Sequence, residues 1–237
     1  MKTFKSPLVI GYKGEIGSFI LQGLLRIMPK ASNIWCYDVN DTEEEKQERI
    51  KKADVIFLCV PMQDTLKWFD KYNELLKDKT VIEQCSLKSD ICNKINNENF
   101  KLLSMHILFR PSKTPNIEDR TVSCISNPRW NSKLTSTIKQ LTVAKITWFD
   151  SYEQHDEVMG IQQALTHRII LVLHDMIVEN CTGYQQTYMT KRILELSARI
   201  MSGDATLYKM IQDNKYLPDI LEEFNDRLTN FSIGEVI

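Results

Sequence analysis

The sequence predicts a doubly wound α/β domain with a mostly parallel sheet, followed by a smaller all-α domain. Three observations lead there. Short, almost continuous apolar runs alternate with polar, helix-compatible segments over residues 1–150. A glycine-rich turn joins the first apolar run to the first helical segment. From residue 151 the strand-like text stops and apolar residues recur at helical spacing. Strands apolar on both faces and alternating with helices belong to a parallel sheet covered on both sides.

Taken in order, the predicted strands are PLVIG, NIWCYD, ADVIFLCVP, TVIEQCS, KLLSMH, TVSCIS and AKITWFD. Between them lie segments such as DTEEEKQERIKK and TLKWFDKYNELLKD, whose charges suit the solvated face of a helix. Residues 151–237 open with a long helix, YEQHDEVMGIQQALTHRIILVLHDMIVENC, expected to be buried on much of its circumference. Further helices are expected over 185–202, 204–213 and 217–229. A helix so apolar needs partners, and the short C-terminal half offers few, so a homodimer through helix–helix packing is the expectation.

The turn after the first strand reads GYKGEIG. Gly14 and Gly17 fit the last two positions of Gly-x-Gly-x-x-Gly, Tyr12 fills the first, and Gly11 stands one place early. A strand precedes it, a helix follows, and Asp38 ends the next strand, as a Rossmann-type dinucleotide site requires. Gly14 lets the backbone approach a pyrophosphate, Gly17 allows close helix–strand packing, and the helix N-terminus stabilises the negative charge. Asp38 would accept hydrogen bonds from ribose hydroxyls, and no arginine follows in DVNDTEEE, which favours NAD over NADP. The expected cofactor contacts are Gly11, Tyr12, Gly14, Glu15, Ile16, Gly17 and Asp38, with Val60 and Pro61 at the end of the third strand. The alternative for Asp38 is a solvated loop acid.

Composition removes several classes. Of the 237 residues, Lys and Arg number 30 and Asp and Glu 31, so no net field draws nucleic acid or an anionic membrane. No run reaches a membrane span, and the first apolar stretch is too short for a secretory signal. The six cysteines form no Cys-x-x-Cys pair and read as buried reduced thiols, so a cytoplasmic protein is expected. The four histidines are dispersed, without metal-ligand spacing.

Three further motifs fall in a fixed order: CSLKSD after the fourth strand, LLSMHILFRP at the fifth, and EQHDEVMGIQQALTH opening the long helix. With LELSARIMSGDATLYKMI near the end, they resemble the prephenate dehydrogenase family over residues 7–214. The family's His-Pro-Met-Phe-Gly-Pro reads His106-Ile107-Leu108-Phe109-Arg110-Pro111 here. The resemblance implies a cytoplasmic NAD(P)-linked dehydrogenase of tyrosine biosynthesis, with a Rossmann domain and a helical dimerisation domain. It implies oxidative decarboxylation of prephenate to 4-hydroxyphenylpyruvate, or the same chemistry on arogenate or 4-amino-4-deoxyprephenate.

On that resemblance His106 is the catalytic base for the substrate hydroxyl, and Ser86 orients it. Arg199 reaches the substrate carboxylate from the helical domain, with His155 and His167 as further substrate contacts. Lys88 would touch cofactor or substrate. Arg110, where the family has glycine, would take over carboxylate binding because Thr166 stands where some members carry an arginine. Each residue also has a plainer reading: His106 as a structural histidine, Ser86 as a helix cap, Lys88 and Arg199 as solvated cations. A nucleotide-binding protein without turnover is the reading from another class, and Tyr12 and the short helical half speak for it.

Overall fold

The computed structural model describes residues 4–29, 33–181 and 183–231. The chain forms two compact units, Met1–Tyr152 and Glu153–Ile237. The first is an α/β unit built on one seven-stranded sheet. Its strands are β1 (Pro7–Ile10), β2 (Trp35–Tyr37), β3 (Val55–Leu58), β4 (Thr80–Glu83), β5 (Lys101–Ile107), β6 (Thr121–Ile125) and β7 (Lys145–Phe149). Its helices are α1 (Glu15–Ile27), α2 (Glu43–Lys52), α3 (Thr65–Tyr72), α4 (Ser89–Cys92) and α5 (Ser132–Thr142).

The sheet order is β2-β1-β3-β4-β5-β6-β7. The first five strands run parallel, β6 opposes β5, and β7 runs parallel to β6. β1 and β3 are buried along their whole length, which is why both read as unbroken apolar runs. One face packs Val9, Phe57, Ile82, Leu103, Met105 and Val122 against Ile20 and Leu24 of α1 and Ile138 and Leu141 of α5. Helix α1 can lie that close to α5 because Gly23 has no side chain: a Cβ there would stand 2.5 Å from the Leu141 carbonyl oxygen.

Local chemistry fixes the helix ends. Thr42 and Glu45 form a reciprocal capping box at α2, whose first turn is acidic and last turn basic. The Asn131 side chain caps α5 by accepting from the Leu134 amide.

The second unit is entirely helical: α6 (Tyr152–Met159), α7 (Thr166–Asn180), α8 (Tyr188–Met201), α9 (Ala205–Gln212) and α10 (Leu217–Thr229). Gly160–Leu165, between α6 and α7, is a π-helical turn rather than α. Its Ala164 and Leu165 form a small core with Ile211, Leu217 and Ile220. Gly160 sits directly beneath Ile220, where a Cβ would come within 2.5 Å of Cδ1. Helix α8 packs beside α7, with His174 Nδ1 2.8 Å from Ser197 Oγ.

One expectation is corrected here. The long helix is not enclosed on much of its circumference, since Ile177 alone of α7 is buried. Val172, Met176 and Val178 are more than half exposed, because the neighbouring helices of this unit cover only one side of α7. Among the described residues no helix is long and apolar enough to cross a membrane.

The Gly23 contact gives a direct test of the sheet-covering layer. Gly23→Ala drives a methyl into backbone that cannot rotate away, and should cost about 1–3 kcal/mol in urea-induced unfolding of this unit. An unchanged midpoint would mean that α1 and α5 stand further apart.

Candidate functional site

The carboxyl ends of parallel strands are where open α/β sheets bind ligands. In this chain the turn after β1, Asp38 after β2, Val60 and Pro61 after β3, Ser86 after β4 and His106 at β5 share that edge. Gly11 has φ of +74°, in the left-handed region. Its amide donates to the Tyr37 carbonyl at 3.0 Å, and a Cβ would lie 2.3 Å from the Cys59 carbonyl oxygen. Gly17 is tighter, with a Cβ position 2.1 Å from the Gly11 carbonyl oxygen. The sharp bend is therefore made at Gly11, and Tyr12 is free to pack its ring along the core edge.

Gly14 is the N-cap of α1, and no side chain caps that helix. The first-turn amides are thus offered to an anion. Asp38 accepts the Lys13 amide on Oδ2 at 3.0 Å and the Val39 amide on Oδ1 at 2.8 Å. Each carboxylate oxygen keeps a lone pair for a hydroxyl group. Beside it, Arg49 is held by Asp41 at 2.7 Å and by the Cys36 carbonyl at 2.8 Å. Asp41 is held below the usual carboxylate range, first by the Asp38 amide and then by Arg49. An acid is presented to the ribose and the neighbouring arginine is engaged, so the nucleotide that these residues fit is NAD. Lys13, whose ammonium lies 5.7 Å over the Tyr12 ring, is a cation at this turn that the sequence reading passed over.

His106 is next to last in β5 and 5% exposed. It pairs across the ladder with Ser123, a buried residue whose hydroxyl has no partner within the chain. Ser86 is half-buried and does not cap a helix; Lys88 is the N-cap of α4.

The expectation that Lys88 touches cofactor or substrate is corrected by its burial. Lys88 is fully buried, with Nζ 2.7 Å from Glu83 Oε1 and 2.9 Å from the Met105 carbonyl oxygen. Glu83 also accepts from the Cys85 amide at 2.6 Å and from the Ser104 hydroxyl. Burial works against the ammonium, yet Glu83 holds the Lys88 pKa above its ordinary value. This pair spans the ends of β4 and β5 and clamps the loop that carries Ser86.

Arg110 does not extend as a free carboxylate receptor. Its Nε and Nη2 both lie 3.4 Å from Glu15 Oε2, while the other Glu15 oxygen accepts the Ser112 amide at 2.9 Å and its hydroxyl at 2.6 Å. Burial raises the Glu15 pKa, but Ser112 and Arg110 together bring it below the usual value. Arg110 thus sits over the first turn of α1, on the cofactor side of the edge.

In the helical unit, His155 is completely buried with Nδ1 2.9 Å from Asp156 Oδ1, and Asn214 binds the Asp156 carbonyl at 2.7 Å. A histidine so enclosed is a structural member of its fold. His167 is half-buried, lies 6.2 Å from the Tyr208 ring, and has no partner for Nδ1 within the chain. Burial lowers its pKa. Gln163, on the preceding turn, also has a buried Oε1 without a partner. Arg199 is exposed in the last turn of α8 and forms no ion pair among the described residues. The sequence reading missed Arg168, whose Nε binds Gln212 at 2.9 Å beside His167.

The fold and the edge residues define a dinucleotide-binding protein of the Rossmann type, joined to an all-helical second domain. Residues 30–111 match the nucleotide-binding domain of prephenate dehydrogenase, and residues 151–233 match its dimerization domain. The chain belongs to the prephenate dehydrogenase family. A Methanocaldococcus jannaschii protein named "Probable arogenate/prephenate dehydrogenase" is 25% identical over 191 residues, 76% of this chain. The chain spans 41% of the length of that curated relative. Aquifex aeolicus prephenate dehydrogenase superposes with a TM-score of 0.68 at 19% identity, covering 95% of this chain and 90% of that one. Synechocystis arogenate dehydrogenase superposes with a TM-score of 0.62 at 17% identity, with the same two coverages, 95% and 90%.

Two outcomes follow from these groups. Lys88→Met leaves the Glu83 carboxylate buried without its cation and should cost about 3–5 kcal/mol of stability. The double variant Glu83→Gln/Lys88→Met should recover much of that loss in the same denaturant titration, and equal losses would sink the pairing. His167 has a lower pKa folded than unfolded, so the unfolded chain binds more protons as pH falls below about 6.5. Stability should therefore fall with acidification through that value, and His167→Gln should flatten the slope of Tm against pH there.

Proposed function

We propose that this chain is an NAD-dependent dehydrogenase that oxidises and decarboxylates prephenate, yielding 4-hydroxyphenylpyruvate and CO2. The observation that carries the reading is His106 at the carboxyl end of β5, beside the β4 loop bearing Ser86, in a chain matching both family domains. When bound, NAD supplies the hydride acceptor.

The chain's own residues prepare the substrate for that transfer. The His106 imidazole takes the ring hydroxyl proton on a ring nitrogen as the carbon beneath it gives up hydride. The Ser86 hydroxyl hydrogen-bonds the same hydroxyl and fixes its direction. The Arg199 guanidinium pairs with a substrate carboxylate through two parallel N–H···O bonds, and His167 adds a polar contact. Gly11, Gly14 and Gly17 keep the turn clear for the pyrophosphate, with Tyr12, Glu15, Ile16, Val60 and Pro61 around it. Asp38 holds the ribose hydroxyls and disfavours a 2′-phosphate. Arg110, paired with Glu15, acts on the cofactor side, so Arg110→Gly alters NAD binding as well as substrate binding.

Arogenate is the second substrate to consider, because the matched M. jannaschii relative is named for both. The functional unit is a homodimer. Its support is the match to the family's dimerization domain together with exposed Val172, Met176 and Val178 on α7 and Tyr188, Met189 and Leu196 on α8.

The test is NADH formation at fixed NAD with prephenate and arogenate in parallel, on wild type and on His106→Asn. The substitution should lower kcat by about 10²–10⁴-fold while leaving the NAD Kd unchanged. Full turnover in the variant would remove His106 from catalysis. No turnover with either substrate, alongside a Tm raised by NAD, would instead identify a binding protein.

A further inference from the structure

We infer that Gln84 recognises the carboxamide of the nicotinamide ring, an assignment that rests on the NAD-dependent reading above. Gln84 directly follows the last residue of β4. Both of its side-chain polar atoms, Oε1 and Nε2, are buried and neither has a hydrogen-bond partner within the chain. A buried amide with both donor and acceptor unmet is costly to the free protein. Other buried polar atoms without partners, such as Ser123 Oγ and Gln163 Oε1, are single atoms. Gln84 has a whole amide in that condition.

Its place in the sheet tells what the amide faces. Leu58 of β3 and Ser104 of β5 flank Glu83 in register, so Gln84 comes next on the carboxyl edge between Cys59 and Met105. The Cys59 carbonyl is the group that Gly11 approaches so closely at the phosphate turn. On the other side, His106 lies one residue beyond Met105. Continuing the alternation of β4 puts Gln84 on the face of Ile82, the face that α1 covers. From β1 to β4 is two strand spacings, about 10 Å. A dinucleotide with its pyrophosphate at α1 and its ring approaching His106 passes over this position.

Chemistry narrows the ligand group. A primary carboxamide carries one acceptor oxygen and a donor NH2, matching Gln84 in reverse. Set head to head, the two amides form a pair of antiparallel N–H···O bonds that satisfies both atoms together. A substrate carboxylate would offer acceptors alone and leave Oε1 unmet. The cofactor's ring amide is therefore the group that Gln84 fits.

The experiment measures binding by calorimetry on wild type and Gln84→Leu, with Gln84→Met as a second variant of nearly unchanged length. Three probes are used: NAD, ADP-ribose, which lacks the ring, and 3-acetylpyridine adenine dinucleotide, which has methyl in place of NH2. Both variants should weaken NAD about 5- to 10-fold and leave ADP-ribose within about 2-fold. Wild type should prefer NAD over the acetylpyridine analogue, and the variants should lose that preference. Without ligand, the variants should melt at or above the wild-type temperature, since an unpaired amide has been replaced by an apolar group.

Unchanged NAD affinity would overturn the assignment, and so would equal weakening of NAD and ADP-ribose. A ligand-free Tm several degrees lower in both variants would also overturn it, because the amide would then have a partner in the free protein. Failure of wild type to bind even ADP-ribose would defeat the nucleotide reading itself and this inference with it. Tight ADP-ribose binding with no preference for NAD in wild type would defeat the inference alone.

Discussion

The close approach at the first turn is the constraint on which the rest of the α/β unit depends. The Gly17 backbone lies against the Gly11 carbonyl, and Gly11 lies against Cys59, at distances no Cβ could share. These contacts bring the start of α1 down onto β1 and β3, with its uncapped amides facing the carboxyl edge. They also place Asp38 within reach of the Lys13 amide, so the ribose acid and the phosphate turn form one rigid piece. A larger residue at Gly17 would push the helix away and uncouple those groups together.

The second organising feature is charge placed inside the sheet. A buried ion pair gains little net stability, because desolvation consumes most of the Coulombic attraction. Glu83 and Lys88 are nevertheless fully enclosed, and their hydrogen bonds run to the Cys85 amide, the Ser104 hydroxyl and the Met105 carbonyl. Every one of those contacts ties the segment after β4 to β5. The pair acts as a brace for the Ser86 loop next to the strand that ends in His106, which explains why apolar packing does not stand in its place.

Much of the fold could be read in the residues, because its elements obey local rules. All seven strands lie within the apolar runs that announced them, and α10 occupies residues 217–229 as expected. The mostly parallel sheet and the helical second unit follow from the same patterns. What escaped was whatever depends on a distant partner. Lys88 looks like any solvated first-turn lysine until Glu83, a strand end away, encloses it. Arg110 reads as a lone cation, and Glu15 is far from it in sequence. The apolar text of α7 suggested burial, yet an apolar surface does not reveal whether its cover comes from the same chain.

The π turn at Gly160–Leu165 has a bearing on how this helix could be altered. A wide turn holds one residue more than an α turn needs, and the surplus changes the phase of everything after it. Deleting a single residue here would let the segment relax into regular α-helix and swing His167 and Arg168 by about 100° about the axis. Tyr208 and Gln212 would then be left facing different neighbours. For such a stretch, length is a stricter specification than residue identity.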